Sequence, residues 1–518
     1  MAEKKILWAD DEIDLLKPHI LFLERKGYHL TTVNSGNEAI ELVEEQFFDI
    51  VFLDENMPGI SGLEALQSIK TIDPTLPVIM ITKSEEEHIM EEAIGSKISD
   101  YLIKPVNPNQ ILLAVKKNLD EKRLVDEQAS SGYQRQFREI SMQLMGRLDV
   151  DDWKELYKKL VYWDLELDGT EDEALEGIFA TQKEEANTQF SKFIKDNYID
   201  WLDGDEDAPT MSHTLFKDRI QPELKGGNNE STFLVVIDNL RFDQWKALQP
   251  AINEYFRVEE EDMFFSILPT ATQYARNALF SGLMPSEIQK MYPQFWVGEN
   301  DEGGKNKFEK ELLEKNLQRL GLNIPFSYNK VLNLNYGKKL NERFNELTKN
   351  KLNVVVYNFV DMLSHARTEM DMIKELASDS SAYRSLTLSW FEHSPLLELL
   401  KKIAHNGSKL IITTDHGTIQ VDHPVKVVGD RATNTNLRYK TGKNLNYKAS
   451  EVFEIPKPEN AYLPKENISS SFIFAMKNDF FVYPNNLNHF VKHYGGTFQH
   501  GGISMEEVII PFVKLIPR

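Results

Sequence analysis

Three hydrophobic patterns follow one another along the 518 residues. In the first, the apolar runs KKILWAD, FDIVFLD, LPVIMIT and DYLIKP alternate with segments of helical period such as GNEAIELVEEQ and GLEALQSIKT. Strands alternating with helices predict a doubly wound parallel sheet over residues 1–120. In the second pattern, over 121–205, apolar residues recur at three- and four-residue spacing with acidic faces outward, which predicts an all-α bundle. Asp149–Asp152 and Thr170–Glu173 read as helix starts. Trp153, Tyr157, Trp163 and Trp201 fall at helical spacing and are expected in the core rather than on a recognition surface. The loop-like DGDEDAPTMSH, and GGNN at 226–229, mark a boundary. In the third pattern, STFLVVIDN, MFFSILPT, LNVVVYNFVD and KLIITTDH predict a second α/β domain over 206–518. Residues 420–480 read as an insertion of short strands.

Composition narrows the classes. The formal net charge of −22 disfavours duplex nucleic acid and anionic membrane surfaces as partners. Cysteine is absent, which excludes disulfides and thiolate zinc ligands. No apolar run approaches the ~20 residues that span a bilayer, and the N-terminus does not read as a signal peptide, so a cytoplasmic protein without membrane insertion is expected.

The four strands of the first domain all end in polar residues: Asp10 and Asp11, Asp54, Thr82, and Lys104. At one sheet edge the three carboxylates would repel each other without a hard cation such as Mg²⁺. A carboxylate beside Mg²⁺ is a competent phosphoryl acceptor. This set resembles the CheY-type response-regulator receiver. The resemblance implies that Asp54 accepts the phosphoryl group and that Asp10 and Asp11 hold the metal with the backbone carbonyl of Asn56. Thr82 and Lys104 would bind the phosphoryl oxygens, and Tyr101 would be the switch aromatic. Lys83 departs from the small residue usual after the Thr, which bears on how long the phosphoryl group survives.

In the third domain the strand ends give Asp238, Thr272, Asp361 with His365 four residues on, and Asp415 with His416; His500 precedes a closing strand. Three Asp, three His and one hydroxyl are too many for one tetrahedral ion and suit two, with zinc the expected metal and Mn or Fe open. A metal beside Thr272 would lower its hydroxyl pKa, and paired metals stabilise both oxygens of an in-line displacement. Singly, a DH pair is more often a cap, and a Thr in LPTATQ more often an N-cap; the order of the set makes it specific. His393, His405 and His423 read as ordinary. The order resembles the PglZ branch of the alkaline phosphatase superfamily, through Asp238, Pro269 with Thr272, Asp361 with His365, Asp415 with His416, and His500 before Gly501. The resemblance implies one metal on Asp238, Thr272, Asp415 and His416 and another on Asp361, His365 and His500. Thr272 would be the nucleophile, with Thr270 its rival. Where diesterases of the family often carry Asn, this chain has Ala275, so Arg276 or Asn277 is expected to contact the developing oxyanion. Arg241 is structural or reaches substrate. Arg431, Arg438, Lys440, Lys443 and Lys448 either lend cations to the cleft or form a solvated face.

The whole arrangement is similar to the PorX class of response regulators: a CheY-like receiver, an all-α bundle and an alkaline-phosphatase-like α/β domain. That resemblance implies a sensor histidine kinase as phosphodonor, a homodimer on phosphorylation, and control of type IX secretion. The output would be a zinc phosphodiesterase acting on nucleotides or oligonucleotides. The alternative is a non-catalytic, metal-holding module that touches secretion components or a transcription factor. A DNA-binding regulator fits poorly, because no basic recognition helix is present.

Overall fold

In the computed structural model of the protein, the described residues are 4–82, 98–168, 173–225, 231–299, 301–369, 379–430, 433–465, 467, 469–485 and 487–518. The side chains of 119–131, 173–174 and 365–369 also fall outside the description. Lys83, Thr170, Arg431, the GGNN stretch and the side chain of His365 therefore lie outside the described residues. The chain divides into two compact units, residues 1–134 and 135–518, each described by itself.

In the first unit the four apolar runs are strands, with one more between the first two: β1 (Lys4–Ala9), β2 (Tyr28–Val33), β3 (Ile50–Asp54), β4 (Val78–Thr82) and β5 (Asp100–Ile103). They form a parallel sheet of order β2-β1-β3-β4-β5. β3 and β4 are buried along their whole length, as a sheet covered on both faces requires. Two apolar cores lie on opposite faces, one around Leu7, Val51 and Leu66 and the other around Trp8, Phe52 and Ile111.

The second unit holds the helical segment and the second α/β part together. Helices α1 (Val150–Glu166) and α2 (Glu173–Leu202) carry the aromatic stripe, whose members are all buried. α1 starts at a reciprocal cap between Asp149 and Asp152. The stripe packs onto the α/β part as well as within the helices: the Trp201 ring meets Phe265 edge-on at 5.7 Å, and Tyr157 lies 6.1 Å from Phe242. The sheet beneath comprises β6 (Thr232–Ile237), β7 (Phe256–Phe265), β8 (Phe326–Val331), β9 (Leu352–Tyr357), β10 (Lys409–Thr413) and the closing strand β11 (Ile509–Pro517). Its order is β7-β11-β10-β6-β9-β8, with β11 antiparallel to both neighbours and the other pairs parallel. The central strands β6 and β9 are buried throughout. β7 begins seven residues before the apolar run that predicted it. Its acidic stretch is held by cations and donors from other elements: Arg219 on Asp262 at 2.8 Å, Lys246 and the Trp245 Nε1 on Glu261, and Lys514 on Glu260. Residues 420–480 do form short strands, in a two-stranded and a three-stranded sheet.

Candidate functional sites

The parallel strands of the first unit bring their polar ends to one edge, where a doubly wound sheet binds ligands. Asp10, Asp11 and Asp54 each offer an oxygen within 4.8 Å of the others. Asp10 and Asp54 are buried and Asp11 is exposed. The Lys104 ammonium bridges Asp10 Oδ2 at 2.8 Å and Asp54 Oδ1 at 3.1 Å. Burial raises the Asp54 pKa to about 6, with Asp10 and Asp11 adding to the rise and Lys104 opposing it. The carboxylate trio thus suits a hard cation. Thr82 ends β4 fully buried, Tyr101 on β5 is half-buried, and Asn56 is exposed two residues beyond Asp54.

The site of the second unit also lies at strand ends. Asp238 follows β6 directly, and Asp415 and His416 follow β10. The Asp238, Asp415 and His416 ligand atoms all fall within 4.8 Å of one another, and all three residues are fully buried. Thr272 is the first residue of helix α3 (Thr272–Ser281), with Ala271 as its N-cap. Thr272 is therefore not the cap, and its hydroxyl is turned to the cluster, 3.1 Å from His416 Nε2 and 3.4 Å from Asp238 Oδ1. Asp361 does not end its strand: β9 stops at Tyr357, and Asp361 sits in the first turn of helix α4 (Phe359–Glu369). His365 is one turn further along α4, at the spacing that puts two residues on one helix face. His500 Nε2 lies 3.7 Å from Asp361 Oδ1, and its ring stacks on His416 at 4.3 Å.

The imidazoles are oriented by backbone. His416 Nδ1 donates to Gly417 O at 3.0 Å and His500 Nδ1 donates to Thr270 O at 3.2 Å, since a carbonyl can only accept. With Nδ1 held by a carbonyl, each ring turns Nε2 toward the carboxylates, the arrangement of a histidine whose far nitrogen is fixed for metal binding. Around them Ser266 donates to Asp415 O, and Thr414 donates to His416 O while accepting from Leu240 N. Gly417 is required by a close approach, because a Cβ there would lie 1.9 Å from Glu506 O. Thr270 Oγ1 donates to Gly502 O at 2.8 Å and accepts from Gly501 N at 3.0 Å, which fastens the loop of His500. Its hydroxyl is spent, so of the two threonines only Thr272 faces the cluster. The chemistry of the donors fits a divalent ion. Burial raises the Asp238 pKa and Asp415 adds to it, with Arg276 and His416 opposing, and Asp415 Oδ2 is buried without a hydrogen-bond partner.

Arg276 and Asn277 do not stand where an oxyanion contact is expected. Arg276 is fully buried, with Nη1 on Asp238 Oδ2 at 2.8 Å and Nε on Glu309 Oε1 at 2.8 Å. Asn277 spends its amide on the carbonyls of Gln273 and Lys305. Arg241 pairs with Asp243 through two nitrogens and lies over the Phe498 ring, so it is structural. Arg438 and Lys440 form neither a cleft lining nor a solvated face. Arg438 is buried on Glu507 and three carbonyls, and Lys440, 2 % exposed, donates to Asn434 O. Lys443 is half-buried, and Lys448 is exposed and paired with Glu451.

Sequence reasoning missed the supports of the site. Tyr198 on α2 accepts from Leu268 N at 2.8 Å, just before the loop that leads into Thr272. Asn187, also on α2, bonds Met505 N and Glu506 beyond His500. Arg384 clamps Asp164 and Asp168, from the helical segment, to Asp243. A cavity of about 660 Å³ lies beside this clamp, between α1, α2 and the α/β part. Each of these partners is more than 40 residues from its mate in sequence, so no local spacing could signal it.

Comparison with known proteins places three family matches on these parts. Residues 6–116 match the response regulator receiver domain and 123–202 the PorX response regulator linker domain. Residues 215–515 match the BREX system PglZ alkaline phosphatase-like domain. Curated relatives include the transcriptional regulatory protein ResD of Bacillus subtilis, 35 % identical over 22 % of this chain and 47 % of its own. The alginate biosynthesis regulator AlgB of Pseudomonas syringae is 34 % identical over 23 % of this chain. The chain spans 27 % of the length of AlgB. Among solved structures, a CheY-like receiver from Methanospirillum hungatei is 28 % identical, covered over 96 % of its length and 23 % of this chain, with a TM-score of 0.23. Since the PglZ match spans more than half of the residues, the chain belongs to the PglZ alkaline phosphatase-like family, here joined to a response-regulator receiver by a PorX-type linker.

Proposed function

We propose that the protein is a cytoplasmic response regulator whose output is a zinc-dependent phosphodiesterase, acting on nucleotides or short oligonucleotides in the regulation of type IX secretion. A sensor histidine kinase phosphorylates Asp54 with Mg²⁺ held by Asp10, Asp11 and Asn56, and phosphorylation favours a homodimer. The observation that carries the catalytic reading is the Thr272 hydroxyl, 3.1 Å from His416 Nε2, at the start of a ten-residue helix. Asp238, Asp415 and His416 would hold one zinc ion with Thr272, and Asp361, His365 and His500 a second. When bound, the metals supply Lewis-acid chemistry, lowering the pKa of a hydroxyl and neutralising phosphoryl charge. Thr272 Oγ1 gives up its proton and attacks phosphorus; a new O–P bond forms, the bond to the leaving oxygen breaks, and that oxygen takes up a proton to depart as the alcohol. Water then hydrolyses the phosphothreonine ester and restores the hydroxyl. The first amides of α3 face the phosphoryl oxygens, as helix N-termini do for anions. Arg276 being buried, no side-chain cation is available among the described residues of α3 for a second substrate charge, which favours diesters over monoesters.

The test is turnover of bis-p-nitrophenyl phosphate and of short oligonucleotides by zinc-loaded protein, with and without acetyl phosphate. Turnover that rises with the phosphodonor in wild type and not in Asp54→Ala is expected. Full zinc occupancy without turnover in any phosphorylation state would leave the domain as a binding module.

A further inference from the structure

Arg276 is the one fully buried cation among the described residues in contact with the Asp238 cluster. It lies four residues after Thr272 on α3. Side chains tilt toward a helix's N-terminus, so its guanidinium reaches back to the same end as the Thr272 hydroxyl. Nη1 meets Asp238 Oδ2 at 2.8 Å and stands 3.8 Å from Asp415 Oδ2. The other Asp238 oxygen, Oδ1, is the one beside Thr272 and His416. The carboxylate is thus divided: one oxygen belongs to Arg276 and the other to the site. Behind Arg276, Nε is held by Glu309, itself 1 % exposed and further bonded by Tyr328, Asn306 at 2.7 Å and Lys330 at 3.2 Å.

Two carboxylates buried side by side need a positive partner whether or not a metal is present. We propose that Arg276 is the resident counter-ion of the Asp238–Asp415 pair, a positioning residue that offsets their negative charge and limits Asp238 to one ligand oxygen. The inference rests on the metal reading of this site. Two consequences follow from charge alone. Arg276 stabilises the metal-free fold, and it lowers the affinity of the site for a divalent ion by repelling it. Glu309 acts in the opposite sense, by neutralising part of that charge.

The experiment uses the full chain as wild type, Arg276→Gln, Arg276→Lys and Glu309→Gln. Zinc affinity is measured by competition with a chromophoric chelator, and the unfolding temperature is measured with and without zinc. Arg276→Gln is expected to bind zinc roughly tenfold tighter or more, to unfold at a lower temperature without metal, and to gain more from zinc than wild type does. Arg276→Lys keeps the charge and should stay within about threefold of wild type. Glu309→Gln should bind zinc more weakly. Zinc affinity and zinc-induced stabilisation unchanged in Arg276→Gln would overturn the inference. If that variant fails to fold without metal, Glu309→Gln decides, and an affinity equal to or tighter than wild type overturns it. Wild type that binds no zinc would remove the metal reading and this inference together, whereas wild type that binds with an unaltered Arg276→Gln removes the inference alone.

Discussion

Two threonines two residues apart are expected to fail in opposite ways. Thr270→Val keeps shape but removes a hydroxyl that donates to Gly502 O and accepts from Gly501 N, both in the buried loop that carries His500. Two backbone groups lose their partners where water does not reach. At about 1–3 kcal/mol for each stranded group, the loss should be about 2–6 kcal/mol. Thr272 is half-buried, and among the described residues its hydroxyl bonds the His416 and Asp238 side chains. Thr272→Val should therefore cost less than about 1 kcal/mol in the metal-free protein. Urea unfolding in the presence of a chelator, followed by tryptophan fluorescence, reads this difference, because six of the seven tryptophans lie beyond residue 134. Activity should sort the other way, with Thr272→Val inactive and Thr270→Val retaining part of its turnover. A Thr270→Val protein within about 0.5 kcal/mol of wild type, or one that loses all turnover while Thr272→Val keeps it, would refute the reasoning.

Two further expectations concern buried charge. Arg384→Met leaves Asp164, Asp168 and Asp243 without their shared cation and should lower stability by about 3 kcal/mol; a shift below about 1 kcal/mol in urea unfolding would show the clamp to be dispensable. Burial pushes the Lys440 pKa from 10.5 down to about 8, so its charged form is disfavoured in the fold. The penalty, about 3 kcal/mol, is complete below pH 8 and fades as pH rises from there to 10.5. After loss of the Asn434 hydrogen bond, Lys440→Met should gain about 1–2 kcal/mol at pH 7, and the gain should vanish toward pH 10; a destabilised variant with unchanged pH dependence would contradict this.

The receiver was readable from sequence because its chemistry sits at strand ends, and strand ends show as a polar residue closing an apolar run. The same rule located Asp238, Asp415 and His416, but it put Asp361 at a strand end, whereas β9 stops at Tyr357 and Asp361 lies in the first turn of α4. What stayed hidden depends on partners distant in sequence. The acids of β7 fall outside the apolar run that predicted the strand, and Arg219, Lys246 and Lys514 neutralise them there. Arg276 read as a substrate contact because Thr272 lies four residues before it, whereas its partner Glu309 is 33 residues on. Tyr198 and Asn187 carry no local signal, and the packing of α2 on the α/β part shows that they support the loops of Thr272 and His500.

The central claim is that Thr272 is a metal-assisted nucleophile. The direct measurement is bis-p-nitrophenyl phosphate turnover by Thr272→Ala beside wild type, with zinc content and unfolding temperature determined on the same samples. The account expects a folded variant that still binds zinc through Asp238, Asp415, His416 and the second ligand set, with turnover abolished. A folded, zinc-loaded Thr272→Ala protein that turns over substrate at the wild-type rate would contradict it.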